Sequence, residues 1–167
     1  MDEDKLGELR YRRLLVAVDG SRSAELALAA AVTAAKRDAA SVTLIAVARD
    51  ARAEAARWPT AAVSPVPISQ HEADADAERL LRTAVARIPE EIPVTRIVRR
   101  GRPGPEIVAE AGSGKYDAIL LGARGVGRIG ALMGSVSQHV LHHAETAVFV
   151  AHAPRGASKT EDPDEPA

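Results

Sequence analysis

The segment between residues 121 and 135 carries the residue types best suited to bind an anion. Five glycines lie there, between an apolar run that ends at Leu121 and a helical pattern that begins at Ser135. Glycines let backbone N–H groups approach a ligand closely, and a helix start supplies unpaired N–H donors at the positive end of its dipole. Arg124 and Arg128 add positive charge. The segment predicts an anion site, with phosphate as the expected anion; the alternative is a turn whose glycines serve backbone geometry alone.

Asp19 follows a second apolar run and is the next candidate. Its carboxylate can cap the helix that follows, as can Ser21 or Ser23, and it can also present an oxygen to a ligand. If the strands that end near residues 18 and 121 are neighbours in a parallel sheet, Asp19 and the glycine segment face one crevice.

Three histidines offer a second kind of chemistry, and the glycine segment lacks a general base. His139, His142 and His143 share one helical pattern at spacings of three and four, which would suit a two-histidine metal site, but no carboxylate cluster accompanies them. We therefore assign no metal to protein side chains. The glycine segment contains no His, Glu or Asp, and the chain has neither Gly-x-Ser-x-Gly nor Gly-x4-Gly-Lys-[Ser/Thr]. We predict binding rather than catalysis and assign no catalytic residue.

Short apolar runs that alternate with helical patterns must position these residues. Runs buried on both faces are typical of parallel strands, and right-handed crossovers place helices on both faces of the sheet. The predicted strands are 14–18, 41–47, 94–98, 117–121 and 147–151. The first predicted helix ends near residue 37, and three further helices are predicted at 69–88, 106–111 and 135–144. Residues 49–68, with three prolines, predict an irregular connection.

Composition and charge limit the classes of function. The chain has 167 residues, which suits one domain, and 22 basic against 23 acidic residues give a net charge of −1, so neither nucleic acid nor a membrane is an expected partner. The absence of cysteine excludes disulfides and thiolate sites.

The N-terminus is charged and no apolar run approaches about 20 residues, so we expect a cytoplasmic protein. We expect a charged segment at 1–12, one domain at 13–153 and a disordered acidic tail at 154–167.

Two stretches of the chain resemble the universal stress protein family. They are LLVAVDGSRSAELAL near the start and LLGARGVGRIGALMGSVSQHVLHHAETAVFVAH near the end, and the resemblance runs from about Arg13 to Ala153. ATP-binding members of that family carry Gly-x2-Gly-x9-Gly-[Ser/Thr]. This chain has Gly122-x2-Gly125-x8-Gly134-Ser135, which is one residue shorter.

The resemblance implies a fold and a ligand. The fold would be a single Rossmann-like, doubly wound α/β domain with a five-stranded parallel sheet in the order 3-2-1-4-5. The ligand would be ATP or another adenine nucleotide, with Mg²⁺ bridging the phosphates and with at most slow hydrolysis. Ala17 and Val18 would line the adenine pocket, Asp19 would contact the ribose or a phosphate-bound metal, and Val47 would meet adenine through its backbone.

The remaining implied contacts lie at or near the glycine segment. Leu121 and Gly122 would flank the ribose, and the phosphates would be held by Gly125, Gly134, Ser135 and Val136, with Arg124 beside them. A homodimer through the fifth strand, Ala147–Ala151, is also implied, and pairing would cover its apolar edge. A cyclic-AMP binder and a nucleotide-free dimeric interaction module of the same fold remain as alternatives to an ATP-binding regulator of the stress response.

Overall fold

Strands and helices alternate along the whole described part of the chain. The structure, a computed structural model, describes residues 10–53, 69–123 and 133–153. Its strands are β1 (Arg13–Ala17), β2 (Ser41–Ala48), β3 (Val94–Arg100), β4 (Ala118–Gly122) and β5 (Ala147–Ala151). Its longer helices are α1 (Arg22–Asp38), α2 (Gln70–Val85), α3 (Pro103–Ala111) and α4 (Ser135–His143). Residues 51–53 are also helical.

The strands form one parallel sheet in the order β3-β2-β1-β4-β5. β1 lies at its centre, with Leu14 opposite Val42 of β2 on one side and Ala118 of β4 on the other. The predicted Rossmann-like fold, its all-parallel sheet and its strand order are therefore confirmed. From β1 the chain adds β2 and then β3 on one side of the sheet, and β4 and β5 extend the other side. The strand order therefore reverses between β1 and β4.

Helices cover both faces of the sheet. On one face, α1 and α2 pack Ala27, Leu28, Ala31 and Leu81 against buried side chains of the central strands. On the other face, α3 and α4 contribute Ile107, Ala111 and Val140 to a second, smaller cluster. Both clusters consist of Ala, Val, Leu and Ile, as the 2% aromatic content requires.

Local signals determine where the helices begin. Ser21 caps α1, since its Oγ accepts a hydrogen bond from Ala24 N at 3.1 Å. α2 begins after a capping box formed by Ser69 and Glu72. α3 begins at Pro103 and not near Glu106, because proline is favoured at the first position of a helix, where no N–H donor is needed.

The two edges of the sheet differ in polarity. β3 exposes Arg96, Arg99 and Arg100, and Arg100 forms an ion pair with Asp74 of α2 at 2.6 Å. β5 exposes the ring of Phe149, which is 44% accessible. One edge is therefore charged, whereas the other presents an aromatic side chain.

Several predicted segments lie outside the described residues. These are residues 1–9 of the charged N-terminal segment, residues 54–68 of the proline-containing connection and the whole acidic tail at 154–167. Among the described residues, no helix is both long and apolar enough to cross a membrane.

Candidate functional site

A cavity of about 490 Å³ opens at the carboxyl ends of the central strands. Its wall is formed by the ends of β1, β2 and β4, by the starts of α3 and α4, and by one side of α2. This volume lies in the range of about 300–1,000 Å³ that is usual for small-molecule sites. The cavity also lies where the strand order reverses, which is the usual ligand position in open α/β sheets.

Most of the residues that the sequence singled out line this cavity together. They are Ala17, Val18, Asp19, Val47, Leu121, Gly122, Gly134, Ser135 and Val136. Arg124 and Gly125, the other two candidates, lie outside the described residues.

Asp19 lies in the turn between β1 and α1, at the wall of the cavity. Its Oδ1 accepts a hydrogen bond from Ser21 N at 2.9 Å, while Ser21 itself caps the helix. Asp19 therefore orders the turn and leaves the capping role to Ser21. The side chain is exposed, so a carboxylate faces solvent at the edge of the cavity.

Gly122, the last residue of β4, is in close contact with the first turn of α1. A Cβ at this position would lie 2.6 Å from Ser23 Oγ and 2.7 Å from Ala24 N. Only glycine permits this approach, because two of the three nearest atoms belong to the backbone. Gly122 thus brings β4 and the start of α1 together at the cavity.

The two described ends of the glycine segment, Ala123 after β4 and Gly134 before α4, are joined by hydrogen bonds. Gly134 N donates to Ala123 O, and Ser137 Oγ lies 3.0 Å from the same carbonyl oxygen. Gly134 caps α4 without a side-chain hydrogen bond. The first N–H groups of α4 have no acceptor within the helix, and the residues that carry them line the cavity.

Residues of α2 and β2 that sequence reasoning did not single out also line the cavity. Ala73, Ala77 and Leu80 of α2 form an apolar side wall, and Arg49 and Asp76 add one charge of each sign. The helical period identified the buried face of α2, but nothing in the sequence indicated that this face extends beyond the end of the sheet.

Carboxylates with lowered pKa values lie outside the cavity, and the largest shift is that of Asp38, whose pKa a hydrogen bond from Arg37 lowers to about 2. Hydrogen bonds from Arg100 lower the pKa of Asp74, and those from Arg13 lower the pKa of Asp117. Asp74 and Asp117 belong to ion pairs that join secondary-structure elements, and neither lines the cavity.

The histidines of α4 do not line the cavity. The rings of His139 and His143 stack with centroids 4.1 Å apart, and the Nδ1 atoms of His142 and His143 each lie 2.8 Å from a carbonyl oxygen one turn earlier. In the described part of the chain, no group of three or more metal-ligating side chains is present.

Comparison with known proteins establishes the family. A model of the universal stress protein family matches residues 10–152. The chain belongs to this family. A universal stress protein of Mycobacterium tuberculosis is 34% identical over 151 residues, which is 90% of this chain and 48% of that protein. The chain spans about half the length of the curated universal stress proteins it matches.

Solved structures of universal stress proteins share the fold. UspA from Lactobacillus plantarum superposes with a TM-score of 0.65 at 29% identity, over 86% of this chain and 99% of that one. A family member from Arabidopsis thaliana with AMP bound gives 0.63 at 18% identity, over 90% and 97% of the two chains. A universal stress protein in complex with cAMP gives 0.53 at 23% identity, over 86% and 98%.

Proposed function

We propose that this chain binds an adenine nucleotide, ATP, in the cavity and acts as a nucleotide-dependent regulatory protein of the stress response. The observation that carries the proposal is the convergence of the end of β1, the end of β4 and the start of α4 on one cavity. Family membership supports the same ligand class, since a solved universal stress protein has AMP bound and another is in complex with cAMP.

The base and ribose would occupy the end of the cavity formed by β1, β2 and α2. Ala17, Val18 and Val47 offer an apolar surface of the kind that an adenine ring stacks on, and Ala77 and Leu80 of α2 face the same space. Leu121 and Gly122 would lie beside the ribose. The exposed carboxylate of Asp19 can accept hydrogen bonds from ribose hydroxyls.

The phosphates would lie at the start of α4. Gly134, Ser135 and Val136 supply backbone N–H groups at the positive end of the helix dipole. Arg124 and Gly125 of the glycine segment would complete this site with a positive charge and a further N–H donor.

Mg²⁺ would be held mainly by the phosphates. Asp19 is the acidic side chain that would contact the phosphate-bound ion, and no cluster of three or more ligating side chains occurs in the described residues. A hydrated Mg²⁺ needs only one or two protein carboxylates when substrate phosphates are present, so this donor set fits the ion. We assign no catalytic residue and expect at most slow hydrolysis.

A cyclic nucleotide is the second candidate ligand. It needs less room for phosphate, and the glycine segment is one residue shorter than the pattern of ATP-binding members. A solved universal stress protein in complex with cAMP makes this alternative specific.

Calorimetric titration with ATP, AMP and cAMP tests the proposal. The decisive variant is Ser135→Asp, which places a carboxylate at the first position of α4, where it favours the helix but repels phosphate. We expect ATP affinity to fall at least about ten-fold, measured without Mg²⁺ so that no cation bridges the new carboxylate. Ser113→Asp, an exposed serine that does not line the cavity, is the matched control and should change nothing.

Each other outcome has a distinct meaning. Tighter binding of cAMP than of ATP would favour the second candidate. Binding of ATP that is unaffected by Ser135→Asp would contradict the phosphate position. A wild-type chain that binds none of the three would instead favour a nucleotide-free dimeric interaction module.

We also propose that the domain, spanning 13–153, functions in the cytoplasm as a homodimer that pairs through β5. The support is the exposed edge of β5 and its exposed Phe149. An unpaired apolar edge favours pairing with another strand.

A further inference from the structure

Ser137 is a buried hydroxyl at the point where the glycine segment closes. The residue is 1% exposed, and its Oγ lies 3.0 Å from Ala123 O and 2.9 Å from Gly134 O. Ala123 lies near the start of the glycine segment and Gly134 lies near its end. One side chain therefore contacts both ends of the segment.

Neither carbonyl depends on Ser137 for a hydrogen-bond donor. Ala123 O also accepts from Gly134 N, and Gly134 O also accepts from Gln138 N at 3.1 Å. Replacement of Ser137 by alanine would leave both buried carbonyls paired, so the usual cost of an unsatisfied polar group does not arise. What the hydroxyl adds is a second link between the end of β4 and the first turn of α4.

We infer that Ser137 is a positioning residue of the anion site, which fixes the start of α4 against the end of β4. The hydroxyl proton of Ser137 is directed at the carbonyl oxygens of Ala123 and Gly134. Ser137 therefore acts by holding these two residues together and not by contacting the ligand. The N–H groups at Ser135 and Val136 keep their direction only if this first turn is fixed, because hydrogen bonds weaken steeply with misalignment. The inference rests on the proposed function, since phosphate is the ligand that these groups would bind.

Titration of Ser137→Ala with ATP and with adenosine tests this role. We expect the Kd for ATP to rise about ten-fold and the Kd for adenosine to stay within about two-fold, because only ATP uses the start of α4. Thr146→Ala is the matched control: Thr146 Oγ1 also donates to a carbonyl, Asp117 O, at 2.9 Å, but at the opposite ends of the strands. It should leave both Kd values within about two-fold. Equal weakening of ATP and adenosine by Ser137→Ala, or no weakening of ATP, would overturn the inference.

Amide hydrogen exchange at Gly134 supplies a readout that needs no ligand. We expect the Gly134 amide, which donates to Ala123 O, to exchange about ten-fold faster in Ser137→Ala and at the wild-type rate in Thr146→Ala. Unchanged exchange in Ser137→Ala would show that the hydroxyl does not hold the ends together. If the wild-type chain binds no nucleotide, the proposed function fails, and exchange alone decides whether Ser137 closes the segment.

Discussion

At the scale of single residues, Gly122 has a role that its place in a glycine-rich motif does not reveal. The motif suggests that glycine is needed so that a ligand can approach. The structure adds a second reason, since Ser23 and Ala24 of α1 occupy the space that a side chain at 122 would need. Gly122 therefore fixes the position of a helix as well as lining the cavity.

Gly122→Ala should reduce both stability and ligand affinity. The added methyl group forces the first turn of α1 away from β4, and overpacking of this kind costs about 1–3 kcal/mol. Chemical denaturation measures the loss of unfolding free energy, and calorimetry the loss of affinity. Gly112→Ala is the control, because its φ is −64° and the nearest atom to an added Cβ is 3.4 Å away. If both variants are equally stable, the packing role of Gly122 is wrong.

At the scale of elements, α3 and α4 are joined by a close contact between Gly104 and His139. A Cβ at Gly104 would lie 2.9 Å from the Cβ, Cγ and Cδ2 atoms of His139. Both helices begin at the cavity, and this contact links the start of α3 to the middle of α4. The imidazole lies among basic groups: His143 stacks on it, and Arg102 and His142 are near enough to affect its charge.

His139 should make stability depend on pH near neutrality. Desolvation lowers the pKa of His139 below its usual 6.5, and the charges of His143, Arg102 and His142 lower that pKa further. The unfolded chain then binds the proton more readily than the folded chain. The contribution of His139 to the free energy of unfolding is therefore present in full above about pH 6.5. It is lost as the pH falls through the lower pKa that His139 has in the folded chain.

Thermal unfolding between about pH 5 and pH 8 measures this effect. We expect the Tm of the wild-type chain to fall on the acid side, and His139→Asn to show a smaller fall. His152→Asn, which replaces an exposed histidine just after β5, should retain the wild-type profile. The same profile in His139→Asn and the wild type would exclude His139 as the cause.

At the scale of the whole molecule, the proposed dimer would pair β5, the strand at one end of the sheet, with β5 of a second copy. β5 carries Phe149, whose ring meets that of Tyr11 edge to face, with centroids 5.3 Å apart at 88°.

Phe149→Glu should give a monomer. A charge on β5 would face its symmetry mate across the two-fold axis, and like charges on paired strands are destabilising. Sedimentation velocity at micromolar concentration measures the oligomeric state. Leu26→Glu is the control, because it places the same charge at an exposed leucine of α1 and should leave a dimer intact. A wild-type chain that sediments as a monomer would contradict the dimer itself.

The fold was predictable from the sequence because the central strands are buried on both faces. β1 and β4 read as continuous apolar runs, and their alternation with helical patterns defines a parallel sheet. The lining of the candidate site was predictable where a glycine adjoins a strand end or a helix start, as with Gly122 and Gly134. That these residues bind a ligand stays a prediction. Ser137 was missed because a serine near a helix start usually faces solvent, and only the tertiary structure turns this one towards Ala123. The predicted start of α3 at residue 106 is three residues late, because Pro103 occupies the first position of the helix.

The difference between the two sheet edges bears on how far assembly can proceed. An open sheet with two similar apolar edges could add copies at both and grow into a fibre. Here the β3 edge exposes Arg96, Arg99 and Arg100, of which Arg99 pairs with Glu110 and Arg100 with Asp74, so a third copy would have to desolvate charged side chains there. A contact of β5 with itself is isologous and leaves no second apolar edge for growth. Arginines far from the cavity would thus limit the proposed assembly to a closed pair.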